Sequence, residues 1–264
     1  MGTAVSPVLH VDPEWKPVLD EIGFNLEFVF DSDRVKPWRT LGDRENCTLD
    51  IPRDGGVSRL HIKRFPARSG FPTDADHEVY GLRLLADASV PSAKLVASGH
   101  GSDLRSFVAI EDLYGYQAAD KLITSGTPFQ TLLNPLADLA ALLHERGLHH
   151  RDLYLCHFFV SLTPTLDVRL IDAARVGKLP GLFMRQRWIV KDLAQLWYST
   201  LALPITDGER LQLFQRYCSR RRLVADDLLL RSIHRKVRWI EAHDRKLNQS
   251  QPGRNISIPD DDDE

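Results

Sequence analysis

Alternation of apolar and polar residues dominates the first half of the chain. Residues 25–30 and 46–51 read as strands, and the second run leads through Pro52-Arg53-Asp54-Gly55-Gly56 into a third strand at 57–63. Asp-Gly between two alternating runs is a hairpin signal, because the tight turns that match strand twist need positive φ. On the outgoing strand Leu60 and Ile62 share one face while His61 and Lys63 share the other. One face packs and the other presents a lysine. From 74 to 88 the period becomes helical, with Val79, Leu82, Leu85 and Ala86 on one stripe, Glu78 in the first turns and Val90-Pro91 as the stop. Residues 94–97 and 106–111 are further short strands, the first followed by Ser98-Gly99-His100-Gly101. Residues 25–111 thus read mostly as strands with a single helix.

After Tyr114-Gly115-Tyr116 the pattern changes. Residues 129–146 carry Leu132, Leu136, Leu139 and Leu143 at helical spacing, closed by Gly147. Three more helices are expected at 187–203, 208–222 and 226–246, with a strand-loop-strand insertion near 148–172. The predicted class is α+β, a β-rich unit followed by a helical one, and the join of two such lobes is where ligands usually bind. The predicted organisation is an extension at 1–24, an N-lobe at 25–113, a C-lobe at 114–246 and a disordered acidic tail at 247–264.

Composition adds limits. The chain has 264 residues, 43% hydrophobic and 27% charged, which suits a globular protein with an ample core. The formal charge of −2 gives no global reason for a nucleic-acid partner. Its distribution is uneven: residues 210–246 hold 11 Lys and Arg against 4 Asp and Glu, whereas 260–264 are all acidic. Three widely spaced cysteines, Cys47, Cys156 and Cys218, make a poor disulfide framework and suit a reducing compartment. Asp12, Glu14 and Lys16 interrupt any apolar leader, and no run reaches about 18 apolar residues. The expectation is a cytoplasmic protein that does not span a membrane.

The chemistry concentrates in His150-Arg151-Asp152-Leu153-Tyr154-Leu155-Cys156-His157, followed by a strand, a turn at Thr163-Pro164 and Val168-Arg169-Leu170-Ile171-Asp172. This block resembles the catalytic loop of the protein-kinase-like fold, a His-Arg-Asp with a metal ligand five positions on and a second acid after the next hairpin. Phosphoryl transfer needs one carboxylate near the attacking hydroxyl and another that holds a metal on the phosphates. The resemblance implies ATP and Mg²⁺ as cofactors. It implies that Asp152 deprotonates the acceptor and that Asp172 binds metal, with His157 as second ligand, as a water-mediated contact or as a hydrogen-bonding loop residue. It also implies that Lys63 contacts the nucleotide phosphates with Glu78 as its ionic partner, and that Glu111 and Leu113 contribute to nucleotide binding.

Within that fold the chain is similar to the lipopolysaccharide kinase (Kdo/WaaP) family over roughly residues 35–240. The resemblance rests on His157 in place of Asn, on the catalytic block through Phe158, and on Arg187-Trp188-Ile189-Val190-Lys191-Asp192-Leu193-Ala194 before an aromatic-rich helix. It implies an acceptor sugar, heptose or Kdo, in the lipopolysaccharide inner core, and peripheral contact with an anionic inner membrane through Arg216, Arg220, Arg221, Arg222, Arg231, Arg235, Lys236 and Arg238. A glycine-rich Gly-x-Gly-x-x-Gly is missing, and a phosphate-covering hairpin would fall near residues 38–47 with only Gly42. Asp172-Ala173-Ala174 lacks the Phe and Gly of a switchable protein kinase. The alternatives are a related small-molecule or protein kinase and an inactive pseudokinase. Zinc held among His144, His149, His150, Cys156 and His157 is a further reading, set against the lack of paired Cys motifs. Asp192 is expected to hold the loop backbone rather than to react.

Overall fold

A sheet begins earlier in the chain than the alternation suggests. The computed structural model describes residues 6–53, 56–67 and 72–250. Its first elements are β1 (Val8–Val11), α1 (Lys16–Glu21), α2 (Leu26–Asp31) and β2 (Lys36–Thr40). Then come β3 (Glu45–Arg53), β4 (Gly56–Phe65), α3 (Asp74–Asp87), β5 (Leu95–His100) and β6 (Ser106–Glu111). All six strands join one antiparallel sheet in the order β1-β5-β6-β4-β3-β2.

The described part of the expected extension, residues 6–24, therefore belongs to the fold: β1 pairs with β5, and Trp15 and Leu19 are core residues. Gly99 makes that pairing possible, since a Cβ there would meet the Val8 carbonyl at 2.5 Å. Residues 25–30, expected as a strand, form α2 instead. Asn25 Oδ1 accepts the Phe28 N–H at 2.7 Å, a local cap that satisfies the first turn before any distant strand can compete. Cys47, Leu49 and Ile51 of β3 and Leu60 and Ile62 of β4 enter one core with Val29. Burial of a large apolar side chain contributes about 1.5–3 kcal/mol, so this face fixes the register of β4 and with it the side on which Lys63 emerges. The Asp54-Gly55 turn lies outside the described residues.

The chain divides into two compact units. Described residues up to Arg83, with Ala93–Leu113, form the first; Leu84–Ser92 and the described residues from Tyr114 onward form the second. The second contains β7 (Gln117–Ala118), α4 (Ala119–Thr124), α5 (Phe129–Glu145), β8 (Leu148–His149), β9 (Phe158–Ser161), β10 (Asp167–Leu170) and β11 (Gly177–Lys178). It ends with α6 (Leu182–Ser199), α7 (Asp207–Arg220) and α8 (Asp227–Ser250). The leucine stripe of α5 is buried as expected, and Gly147, at φ +75°, takes the left-handed conformation that ends the helix. Helix α6 starts five residues before the expected 187, and α8 carries four residues of the expected tail, 247–250, as helix. The acidic run 260–264 lies outside the described residues. Among those described, no helix is long and apolar enough to cross a membrane.

Strand β8 pairs with β11, whereas β9 pairs with β10 and β7. Residues 150–157 therefore leave one small sheet and enter another. A loop held at both ends in this way presents its side chains with only one short 3-10 turn of its own, Leu155–His157.

Candidate active site

In the first unit Lys63 stands on the face of β4 opposite Leu60 and Ile62, as the alternation requires. Its Nζ donates to Glu78 Oε1 at 2.7 Å and to Oε2 at 2.9 Å. The Glu78 side chain is 2% exposed and that of Lys63 20%, so the carboxylate is the buried partner and the ammonium the reachable one. Glu111 closes β6, opposite Leu60 on β4, and its N–H donates to the Lys94 carbonyl. Asp112 follows, its carboxylate 2.8 Å from His61 Nε2, and Leu113 is the half-buried last residue of this unit.

In the second unit one face of α6 holds the loop at 150–157 by its backbone. Asp192, fully buried, accepts the N–H groups of His150 and Arg151, both at 2.7 Å. Gln195 accepts from Leu153 N–H at 3.3 Å and donates to the Arg151 carbonyl at 2.7 Å. Ser199 accepts from Leu155 N–H at 3.0 Å. These residues are spaced three and four apart, on one helical stripe. Arg151 has φ +69°, a conformation costly for a side-chain-bearing residue, and the Asp192 anchor holds it there. Burial raises Asp192, but His144 and the loop amides hold it below the usual carboxylate range. The His144 side chain donates from Nε2 to Asp192 at 3.2 Å and accepts from Tyr217 at 2.8 Å, and Arg221 donates to the Tyr217 oxygen at 2.7 Å.

Asp152 is half-buried amid the buried Leu148, Leu153, Leu155 and Phe158. Arg175 donates to its Oδ1 at 3.2 Å and Gln195 at 3.4 Å. His157 donates from Nδ1 to the Asp152 carbonyl at 2.6 Å, which leaves Nε2 facing Asp172 Oδ2 at 3.7 Å. The Ile171 carbonyl accepts from His150 Nε2, and the His157 carbonyl accepts from Ile171 N–H, so both histidines tie the loop to the strand that delivers Asp172. Burial disfavours protonation of His157, yet Cys156, Asp172 and the Asp152 carbonyl raise it to about 9. Burial lowers His150.

Two ligands on one ion at about 2.1 Å each lie at most about 4.2 Å apart, so Asp172 Oδ2 and His157 Nε2 fit a shared cation once His157 gives up its Nε2 proton. Among the described residues no third His, Cys, Asp or Glu joins them. The residues of the zinc reading disperse instead: His144 serves Asp192, His149 stacks on Trp188 at 5.1 Å, and Cys156 is exposed. The basic stretch also divides. Arg216 bonds Asp138 at 2.6 Å and Arg220 lies 3.5 Å from Glu145, so these two face α5, while Arg221 turns back onto Tyr217 of α7, and the three do not join one outer face.

Residues 53–217 match the profile of the lipopolysaccharide kinase (Kdo/WaaP) family. That span covers more than half of the chain and contains Lys63, Glu78, Asp152, His157, Asp172 and Asp192. The chain belongs to this family. As a member of the lipopolysaccharide kinases it is a phosphotransferase, of α+β class with a strand-rich unit before a helical one. It is similar to the lipopolysaccharide core heptose(I) kinase WaaP of Pseudomonas aeruginosa, 28% identical over 238 residues, 80% of this chain and 86% of that one. The protein of the same name from Escherichia coli K12 is 26% identical over 154 residues, 51% of this chain and 56% of its own. Solved structures of WbdD match at 15% and 16% identity with TM-scores of 0.45 and 0.47, covering 77% and 78% of this chain. This chain spans about half their length.

Sequence reasoning missed Gln195, Ser199 and Arg175. The first two follow Asp192 by three and seven positions, a helical spacing that points at the loop once Asp192 is known to do so. Nothing local marks Arg175, which reaches Asp152 across 23 residues.

Proposed function

We propose that this member of the lipopolysaccharide kinases transfers the γ-phosphoryl group of ATP to a sugar hydroxyl of the lipopolysaccharide inner core, on heptose or Kdo. The observation that carries the reading is the joint anchoring of Asp152, His157 and Asp172: the Asp152 carbonyl orients His157, whose Nε2 faces Asp172. Asp152 is the base. Its two described hydrogen bonds both end on Oδ1, so Oδ2 serves the acceptor hydroxyl. As the acceptor oxygen bonds to the γ-phosphorus, the bond to the β-phosphate oxygen breaks, ADP leaves and the hydroxyl proton passes to Asp152.

Lys63, steered by the buried Glu78, meets the α- and β-phosphates, with Glu111 and Leu113 at the nucleotide. Asp172 and His157 would hold Mg²⁺, which when bound neutralises phosphate charge. Imidazole is a softer ligand than magnesium prefers, so phosphate oxygens and water complete the shell. The site of action is the cytoplasmic face of the inner membrane. There α8 presents Arg231, Arg235 and Arg238 on one outward stripe with exposed Leu228 and Trp239, a pattern suited to anionic headgroups.

The test is radiolabel transfer from γ-labelled ATP to purified core glycolipid. Wild type should label it, and Asp152→Asn should fold normally and lose about 10²-fold or more. Nucleotide binding without transfer to any core sugar would favour the pseudokinase. Vesicles with anionic lipid should retain wild type at low salt and release Arg231→Glu/Arg235→Glu.

A further inference from the structure

A row of polar side chains crosses the sheet at Lys63. Arg39 on β2 stands opposite Asn46 on β3, and Asn46 stands opposite Lys63 on β4. Residues opposite one another in antiparallel strands point to the same face, so all three lie on the side away from Cys47, Leu49, Leu60 and Ile62. Strands lie about 4.8 Å apart, so the row is about 10 Å wide. The turn that joins β2 to β3 closes on itself, with the Leu41 N–H donating to the Arg44 carbonyl at 2.8 Å. It contains one glycine, Gly42. Such a turn does not offer the run of main-chain N–H groups with which a glycine-rich loop holds phosphate. Polar side chains stand there instead. Among the described residues, Asn46 Oδ1 and Arg44 Nε are buried without a hydrogen-bond partner, an arrangement that destabilises the empty protein. The intervening acid, Glu45, points to the other face and lies 3.4 Å from Arg64.

We propose that Arg39 and Asn46 extend the Lys63 position into a side-chain cradle for the nucleotide phosphates beyond the first, in place of the main-chain amides of a glycine-rich turn. The inference rests on the proposed reading of Lys63 as a phosphate contact. A guanidinium presents a fork of N–H groups that matches two phosphate oxygens, and the Asn46 amide, turned so that its NH2 leads, donates between two cations. A single phosphate covers only part of such a row. A chain of phosphates can meet all three residues, so affinity should climb with phosphate number.

The experiment measures binding of ATP, AMP and inorganic triphosphate by calorimetry, with magnesium present throughout, on wild type, Arg39→Gln, Arg39→Lys and Asn46→Ala. Wild type should bind ATP about tenfold or more tightly than AMP, and triphosphate should compete with ATP. Arg39→Gln should lose about tenfold on ATP and on triphosphate while AMP binding holds. Arg39→Lys, which keeps the charge without the fork, should recover part of that loss. Asn46→Ala should lose about threefold or more on the same two ligands. Should Arg39→Gln fail to fold, Asn46→Ala carries the same test at a half-buried position. ATP affinity within about twofold of wild type in both Arg39→Gln and Asn46→Ala overturns the proposal. So does an equal loss on ATP and AMP, which would make the row a support of the hairpin, and so does a wild type that binds neither ATP nor triphosphate. ATP and triphosphate held through the row, with no radiolabel passed to any core sugar, would sink the proposed reaction and leave the cradle standing.

Discussion

Lys63 in the strand-rich unit and the loop at 150–157 in the helical unit are each anchored on a buried carboxylate, and the two carboxylates are held differently. Glu78 meets the Lys63 ammonium, on a long side chain that remains one-fifth exposed. Asp192 receives two main-chain N–H groups and one imidazole, all inside the fold. The first arrangement positions a cation that must stay reachable. The second fixes a backbone, including the positive φ of Arg151, and so sets where Asp152 and His157 can point. A side-chain partner can be removed by substitution, whereas the main-chain donors on Asp192 cannot, so that anchor is most vulnerable at Asp192 itself.

The largest effect should come from the second anchor. Asp192→Ala strands three buried donors at once and should cost about 3–5 kcal/mol in denaturant unfolding, with transfer abolished. Asp192→Asn keeps one carbonyl acceptor and should fall between. A cost under about 1 kcal/mol for the alanine variant would mean that water replaces the carboxylate and the contrast with Glu78 is false.

Next is the asymmetry inside the first anchor. Lys63→Ala takes the ammonium from the buried Glu78 carboxylate, at about 3 kcal/mol, whereas Glu78→Ala leaves an ammonium that can turn to water, at about 1 kcal/mol. The double variant should be more stable than Lys63→Ala alone, because it removes the buried charge together with its ammonium. Both single variants should lose transfer. Simple additivity in the cycle would show that the two residues do not act as a pair.

A smaller effect is expected behind Asp192. Tyr217→Phe removes the hydroxyl between Arg221 and His144, and should cost about 1 kcal/mol, since Arg221 can reach water and only His144 loses a buried partner. Unchanged stability would place His144 outside the anchor.

How much of this was legible follows the range of the interactions. The faces of β4, the stripe of α5 and the order of Lys63, Glu78, Asp152, His157 and Asp172 are written in local spacing, and the structure brings the pairs Lys63–Glu78 and His157–Asp172 together. Residues 25–30 misled because Leu26, Phe28 and Phe30 alternate like a strand while Asn25 caps a helix, and a cap formed within four residues prevails over a pairing that needs a distant partner. Strand β1 was missed for the converse reason. Four residues carry little pattern, and their partner β5 lies about ninety positions away, marked only by a glycine that admits close approach. Arg175 gave no signal because charged residues in a helical unit usually face water, and only the fold reveals that it meets Asp152.

Acid should sharpen the contrast last and most gently, by acting on histidines at the start of the loop. Burial lowers His149 to about 4, with Arg151, His144 and Lys191 adding to it against Asp192, and burial lowers His150 in the same direction. An unfolded histidine takes a proton near pH 6.5. Between that pH and the lower folded value the unfolded chain binds more protons than the native one, so stability falls as pH falls. It is complete above about 6.5 and is lost progressively toward 4. Below pH 6.5, where His157 with its raised value is protonated in both states, the melting temperature should therefore decline toward pH 5. His149→Phe, which keeps a ring against Trp188 but cannot titrate, should flatten the decline without removing it, because His150 remains. An unchanged slope would mean that His149 is hydrated and titrates alike in both states, and the entry to the loop would then be open to water rather than sealed by the stack on Trp188.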